Sequence, residues 1–291
     1  MKKLFFFEVV CVVLLVCLTV GRADGQTSKP VNIVVLLDTS NRLKKEGQVQ
    51  RDIKIIEYII AHFEKEFVMK HLRKGRRAGP YQHRLDIAIP EQYRAPEIPE
   101  AILEKLTIKD SGKRVGYPEF KKKRDALSQA VKDLYQFVQK ENPYTGADIW
   151  KWFKKDAQFY LKEGFHNYIV CLTDGYLMFN DDIEEELGSG RFIEVGKLRD
   201  EPNWKERIIP LLSIEKDFSN HNVTFMMVEI NIFEDEEKHI EHTQDYDIMI
   251  AHWDPWLKDM GITDIRFMQQ LPLTKLEEII QSFLKQDEGQ Q

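Results

Sequence analysis

The sequence predicts an α/β fold, a doubly wound, mainly parallel six-stranded sheet with helices on both faces. Two continuous apolar runs, at residues 33–37 and 168–172, are typical of strands that are buried on both faces. Strand-like runs alternate with helical patterns along most of the chain, which is the order expected of a parallel sheet. Each of the two runs is followed within two residues by an aspartate, Asp38 or Asp174. Open α/β sheets bind ligands at the carboxyl ends of their strands.

The first half of the chain contains the patterns of several further elements. Apolar residues recur every three or four positions at 49–67, which predicts a long helix after the first strand. Residues 85–89 alternate like a strand, whereas residues 90–120 are rich in proline and charge and predict irregular structure with one short strand. Two more helical stripes follow, at 127–137 and 149–161.

The second half of the chain continues the alternation. The fourth strand is followed by a segment with helical potential that Pro210 must kink or break, and then by strands and helices in turn. The predicted elements are a strand at 167–173, a helix at 203–217, a strand at 223–230, a helix at 245–258, a strand at 264–267 and a helix at 276–283.

The amino terminus has the pattern of a secretory signal. Two lysines precede an almost wholly apolar run at residues 9–20, and the small residues that a signal peptidase reads follow at Gly21 and Ala23. We therefore predict that residues 1–23 are removed, that the mature protein is secreted or periplasmic, and that it has no transmembrane segment. Two alternatives stay open: an uncleaved amino-terminal membrane anchor, or a lipid attached to Cys17.

Composition narrows the class of protein. The whole chain carries a formal net charge of −6, and loss of the signal removes three basic residues and one acidic residue, which leaves −8. An acidic chain of this kind argues against nucleic-acid binding. Two of the three cysteines lie in the predicted signal, so only Cys171 remains and no intramolecular disulfide can form. We expect one domain at residues 30–285, held by its core, and a frayed tail at residues 286–291.

Four oxygen-bearing side chains stand at related places in the predicted fold. Asp38 and Ser40 follow the first strand, Thr145 precedes a glycine in a turn that leads into a helix, and Asp174 lies in the sequence Thr-Asp-Gly after the fourth strand. In this order they resemble the metal-ion-dependent adhesion site of the von Willebrand factor type A (vWA) family, which is written Asp-x-Ser-x-Ser, Thr-Gly and Thr-Asp-Gly. The resemblance extends in element order over residues 30–285, and its motif identities rest on about a dozen residues.

The resemblance implies a vWA-type, Rossmann-like sheet and a divalent cation, Mg²⁺ or Mn²⁺, held by Asp38, Ser40, Thr145 and Asp174. Such hard cations prefer an octahedral set of oxygens, which hydroxyls, carboxylates and waters supply. The first and fourth strands are expected to be neighbours at the switch point of the sheet, which would bring the two aspartates into one crevice. An open position on the cation would then accept a carboxylate from another protein, so the implied function is protein binding.

One position departs from the motif. The second serine of Asp-x-Ser-x-Ser is replaced by Arg42, which follows Asn41. A guanidinium near Asp38 and Asp174 could take the place of the cation, because arginine is always charged and binds carboxylates with two donors. The protein would then be a metal-free binding scaffold. Alternatively, Arg42 points into solvent, and Asn41 or a water fills the missing coordination position.

Two further alternatives belong to other classes. The Asp-Thr-Ser sequence after the first strand could be only a turn that caps the next helix. A Mg²⁺-dependent phosphoester hydrolase with an aspartate nucleophile would also carry Asp38 after its first strand, but such an enzyme has a second acid where this chain has Ser40. The sequence contains no Gly-rich phosphate loop and no nucleophile elbow. We therefore predict that the protein is not an enzyme.

Overall fold

A computed structural model describes residues 29–73, 82–109, 116–141, 144–199, 201–231, 234–235 and 240–285 of the 291-residue chain. The predicted signal at residues 1–23, including Cys17, and the predicted tail at residues 286–291 lie outside the described residues. Within the described ranges, no helix combines the length and the apolar character that a membrane crossing requires.

The strands are β1 (Val31–Leu37), β2 (Arg84–Ala88), β3 (Thr107–Ile108), β4 (His166–Leu172), β5 (Val223–Ile230), β6 (Glu234–Asp235), β7 (Ile240–Glu241) and β8 (Asp264–Gln269). The centre of the fold is a six-stranded sheet with the strand order β3-β2-β1-β4-β5-β8. All neighbouring strands are parallel except β2 and β3, which are antiparallel. A separate antiparallel pair, β6 and β7, lies between β5 and β8 in the sequence. The predicted mainly parallel, doubly wound sheet of six strands is confirmed.

Strand β1 lies at the middle of this sheet. It pairs with β2 on one side and with β4 on the other. In the pairing with β4, Leu37 lies opposite Leu172. Every residue of β1 is buried. The apolar run therefore reflects burial on both faces of the sheet, as inferred from the sequence. The side chains of Ile33 and Val35 pack into one core, and those of Val34 and Leu36 pack into another. This alternation follows from the two-residue period of a strand.

One face of the sheet is covered by the helices that follow β1, β3 and β8. Helix α1 (Gln48–His62) continues through a π-helical turn (Phe63–Val68) into Met69–Arg73, and α3 (Tyr117–Glu141) and α8 (Leu273–Phe283) pack beside it. The short helix α2 (Glu100–Leu103) precedes β3. The predicted helical patterns at 49–67, 127–137 and 276–283 all lie within helices.

The opposite face is covered by the helices that precede and follow β4 and by the helix before β8. Helix α4 runs from Ile149–Lys151 through a π-helical turn (Trp152–Asp156) to Ala157–Tyr160. The remaining helices on this face are α5 (Asp181–Leu187), α6 (Val195–Leu198) and α7 (Gln244–Asp259). The connection after β1 therefore leads to one face and the connection after β4 to the other, as in a doubly wound sheet.

The helix predicted at residues 203–217 is wrong. Only a 3₁₀ turn at Trp204–Arg207 forms, and the chain around Pro210 is irregular. Proline lacks an N–H and biases the residue before it towards an extended backbone. Tertiary contacts then fix this path, because the N–H of Leu212 donates to Gly190 O at 2.7 Å and its carbonyl accepts a bond from the indole N–H of Trp150.

Candidate functional site

A cleft of about 770 Å³ opens at the carboxyl ends of β1, β4 and β5. This is the switch point of the sheet, where the connections after β1 and β4 leave towards opposite faces. The cleft is bordered by both the turn after β1 and the segment after β4, and by the turn that enters α4. Its lining includes Ser40, Asn41, Arg42, Thr145, Asp174 and Glu229.

Asp38 lies behind the wall of this cleft and is only 1% exposed. Its Oδ1 accepts the backbone N–H of Ser40 at 2.8 Å, and its Oδ2 accepts the hydroxyl of Thr173 at 2.7 Å. The carboxylate thus ties the turn after β1 to the end of β4. The bond to Ser40 is the Asx-type turn that the sequence allowed as an alternative, and it places Ser40 at the cleft.

Asp174 is half-buried at the cleft. Its Oδ1 accepts the N–H of Tyr176 at 3.1 Å, which shapes the turn after β4. Burial and the nearby charge of Asp38 raise the pKa of Asp174 to about 7, and Arg42 opposes this rise. The two predicted aspartates are therefore close enough to interact, although only Asp174 borders the cleft.

Thr145 borders the cleft from the turn that enters α4. Its hydroxyl donates to the carbonyl of Tyr93 at 2.6 Å, which leaves the oxygen lone pairs available as acceptors. Gly146 follows with φ of +111°, and a Cβ at this position would overlap the carbonyl oxygen of Met178. Only glycine accepts both this positive φ and the close approach of the carbonyl oxygen. The glycine in the Thr-Gly pattern thus allows the α4 turn to pack closely against the segment after β4.

Arg42 stands near Asp38, as one of the two expectations had it, but its main partner lies on α1. Its side chain is buried and turns inward, where its two terminal nitrogens meet Asp52 of α1 at 2.6 and 3.3 Å. Its remaining donors reach the carbonyls of Asp38 at 2.9 Å and Leu172 at 3.1 Å. The closest approach to the Asp38 carboxylate is 3.9 Å. The guanidinium therefore does not bind the carboxylate of Asp38 or Asp174 with two donors, and it does not point into solvent.

Asp52 is the polar residue that the sequence analysis missed on the buried face of α1. Besides Arg42, its carboxylate accepts bonds from Gln48 at 2.8 Å and from the hydroxyl of Tyr135 at 2.9 Å. Burial raises the pKa of Asp52, and the charge of Arg42 opposes that rise. The only sequence signal was an acid on a helix that also bears a buried apolar stripe.

Glu229 is a second cleft residue that the sequence analysis missed. It is buried near the end of β5 with φ of +72°, where the pairing with β8 changes register. A glutamate seldom adopts this backbone conformation, which other contacts must hold in place. The carboxylate binds Arg51 with two donors and accepts the amide of Gln270 at 3.2 Å. The continuous strand pattern at 223–230 gave no sign of the irregularity.

The far wall of the cleft includes Tyr176 and Arg199, which converge on a buried acid of α7. Arg199 binds Asp245 with two donors at 2.8 and 2.7 Å, and the hydroxyl of Tyr176 donates to the same carboxylate. The two cleft residues are thus fixed to the helix below them. Nothing in the sequence linked these three positions, since 69 residues separate Tyr176 from Asp245.

The donor chemistry of the cleft fits a hard divalent cation. Ser40 and Thr145 offer hydroxyl oxygens and Asp174 offers a carboxylate, with the charge of Asp38 behind them. Burial and, after it, repulsion from the Asp38 carboxylate raise the pKa of Asp174, and a cation would relieve the repulsion. The position of the second motif serine supplies no side-chain oxygen, because an arginine stands there and its guanidinium binds Asp52. Across the described ranges, no group of three or more His, Cys, Asp and Glu side chains is arranged to hold a metal ion.

The fold and the cleft define an α/β protein with a binding-sized crevice at the switch point of a doubly wound sheet. No family model and no curated protein match the chain. A crystal structure of the pilus adhesin SpaC from Lactobacillus rhamnosus GG is similar at 12% identity and a TM-score of 0.41, over 88% of this chain and 30% of that one. The human COPII-coat protein Sec24c is similar at 7% identity and a TM-score of 0.39, over 89% and 33%. This chain therefore spans about a third of the length of those structures.

Proposed function

We propose that this protein is a binding module that engages another protein at the cleft above β1, β4 and β5. The observation that carries the proposal is the convergence of Ser40, Thr145 and Asp174, which are up to 134 residues apart in the sequence, on one cleft at the switch point. A site of this size, with few convergent polar groups, is the usual form of a binding site in an open α/β sheet.

We further propose that Mg²⁺ or Mn²⁺ is held in this cleft by Ser40, Thr145 and Asp174, with Asp38 supplying negative charge from behind. When bound, the cation would offer an open position to a carboxylate of the partner. Thr145 supports this role because its proton is directed to Tyr93, so the oxygen is free to face a cation. Asp38 orients Ser40 through the backbone N–H.

The metal-free scaffold is the second candidate, and the inward position of Arg42 favours it. The guanidinium places a permanent positive charge 3.9 Å from Asp38 Oδ2 and so supplies part of what a cation would supply. The partner would then be recognised by shape and charge alone. The two candidates predict different responses to divalent cations, because only the first requires a metal for partner binding.

Calorimetric titration of the mature protein with Mg²⁺ and Mn²⁺ separates the two candidates. The metal-dependent candidate predicts saturable binding that Asp174→Asn and Thr145→Val abolish. Asp125→Ala, which alters an exposed carboxylate on α3, is the control and should leave binding unchanged. No heat of binding in the wild type would exclude the metal and leave the scaffold. Asp174→Asn is preferred to Asp38→Ala because Asp38 also holds the backbone together.

The binding role is proposed in place of an enzymatic one, and the protein is proposed to act after secretion. Turnover of p-nitrophenyl phosphate with Mg²⁺ that is lost in Asp38→Asn would contradict the proposal that the protein is not an enzyme.

To test secretion, the full chain should be expressed with its native amino terminus and the product sequenced. A mature chain that begins at Asp24 is expected, whereas a retained Met1 or a lipid on Cys17 would contradict cleavage after Ala23.

A further inference from the structure

The lip of the cleft on the α1 side carries two neighbouring lysines. Lys44 and Lys45 are both exposed at the end of the 3₁₀ turn Asn41–Lys44, and both border the cleft. In the part of the chain that the structure describes, neither lysine forms an ion pair. Glu46 is the one acid beside them at the cleft, so this lip carries a net positive charge.

The two arginines and the buried glutamate of the cleft already have partners. Arg199 is bound by Asp245, and Glu229 is bound by Arg51. Arg42 is bound by Asp52, as described above. A partner that enters the cleft would therefore meet the two lysines as the cations whose charge is not already matched within the described residues.

Apolar and aromatic side chains lie beside the lysines. The ammonium of Lys44 stands 4.8 Å from the centre of the Tyr144 ring, which is the geometry of a cation–π contact. Met178, next to the turn that carries Tyr144, also borders the cleft and is 48% exposed although it is apolar. Tyr144 is half-buried, and tyrosine and methionine are residue types enriched at the centres of protein interfaces.

We propose that this rim, formed by Lys44, Lys45, Tyr144 and Met178, receives an acidic peptide segment of the partner that also carries an aromatic or aliphatic residue. The acidic side chains contact the lysines, and the apolar residue packs between Tyr144 and Met178. The inference rests on the proposed function, because it assigns the chemistry of the partner to the same cleft. In this proposal, residues of this chain recognise the partner, and no bound cation is required.

A random dodecapeptide phage library, selected on the mature protein, tests the inference. We expect enrichment of peptides in which Asp or Glu lies next to an aromatic or aliphatic residue. The most enriched peptide is then synthesised with a fluorescein label and measured by fluorescence polarisation. The double variant Lys44→Ala/Lys45→Ala should bind it at least tenfold more weakly, and the wild-type affinity should fall as salt is added. Lys121→Ala/Lys122→Ala removes the same charge from two exposed neighbours on α3 and should leave the affinity unchanged.

A third variant separates this inference from the proposed function. Asn41 is exposed at the cleft and is not one of the rim residues, so Asn41→Trp should obstruct the cleft while both lysines remain. Selected peptides that lose affinity for Asn41→Trp but bind the lysine variant normally, or that lack acids, would overturn the acidic-partner inference and leave the binding cleft standing. Peptides indifferent to both substitutions, or no enrichment at all, would overturn both.

Discussion

Arg42 and Asp52 form a buried ion pair with two contacts, at 2.6 and 3.3 Å, directly beneath the turn that carries Asp38 and Ser40. The pair lets an arginine stand where the adhesion motif has a serine. Burial alone would lower the pKa of Arg42, but the charges of Asp52 and Asp38 outweigh burial and raise it, so the side chain is always charged. The pair therefore joins the motif to α1.

The first prediction concerns the cost of restoring the motif. Arg42→Ser should destabilise the fold by about 3–5 kcal/mol, because it leaves the buried carboxylate of Asp52 without its cation. Arg42→Ser/Asp52→Asn removes both charges and should recover a large part of that loss. Urea denaturation measures the free energy of unfolding of each variant. Equal losses in the single and double variants would show that the ion pair does not cause the effect.

The same double variant is the proper one for testing cation binding at a restored motif. Arg42→Ser alone would confound loss of stability with a change of site, since both follow from one substitution. If the scaffold candidate is correct, the wild type does not bind Mg²⁺ and Arg42→Ser/Asp52→Asn does. Binding by neither protein would count against the assignment of Ser40, Thr145 and Asp174 as ligands.

The second prediction concerns pH. Because the folded protein holds the Asp174 proton up to a pKa of about 7, and the unfolded chain releases it near 3.8, the folded state binds more protons between these values. This contribution to stability is fully present below the unfolded pKa and is lost as pH rises through about 7. In EDTA, Asp174→Asn should remove that part of the pH dependence.

Thermal unfolding of the wild type and Asp174→Asn at intervals between pH 5 and pH 8 checks this expectation. The wild-type melting temperature should fall relative to that of the variant as pH rises. Differences that stay constant over this range would mean that Asp174 titrates alike in the folded and unfolded states.

The third prediction concerns the glycine of the Thr-Gly pattern. Gly146→Ala should destabilise the fold by about 2–3 kcal/mol, because the new Cβ meets the carbonyl oxygen of Met178 and the backbone has φ of +111°. Gly164→Ala is a matched control, since Gly164 also has positive φ but has no atom within 4 Å of the new Cβ. It should cost about 1 kcal/mol from backbone strain alone. Equal losses of unfolding free energy in urea would rule out the close contact as the cause.

The fourth prediction concerns the start of α4. Asp148 is fully buried, caps the helix through the N–H of Lys151 at 2.8 Å, and binds Arg191 at 2.7 Å. Asp148→Ala should cost about 2–4 kcal/mol, from the lost cap and the lost charged hydrogen bonds. Asp125→Ala, at an exposed site, should change the unfolding free energy by less than about 0.5 kcal/mol. Similar values for the two variants would contradict the assigned role of Asp148.

Much of the fold could be predicted because its strands are unusually regular. Strands β1, β4 and β5 are buried on both faces, so most of their residues are apolar, and β1 and β4 end at recognisable turns. Residues 203–217 could not be predicted correctly, because their path depends on bonds to Gly190 and to tryptophans far away in the sequence. Helical spacing of apolar residues there reflects burial of Leu211 and Ile214 in an irregular segment.

For the candidate site, the sequence by itself determined which oxygen-bearing residues follow the strands, since strand order and turn chemistry are local properties. It could not determine the direction of Arg42, because both expected directions ignored a partner, Asp52, on a different element. The tertiary structure alone decided that Asp38 is enclosed and that Glu229 and Arg199 border the cleft. Charge pairing between distant elements depends on the distances between them, which are fixed only when the elements pack. A local sequence pattern does not contain these distances.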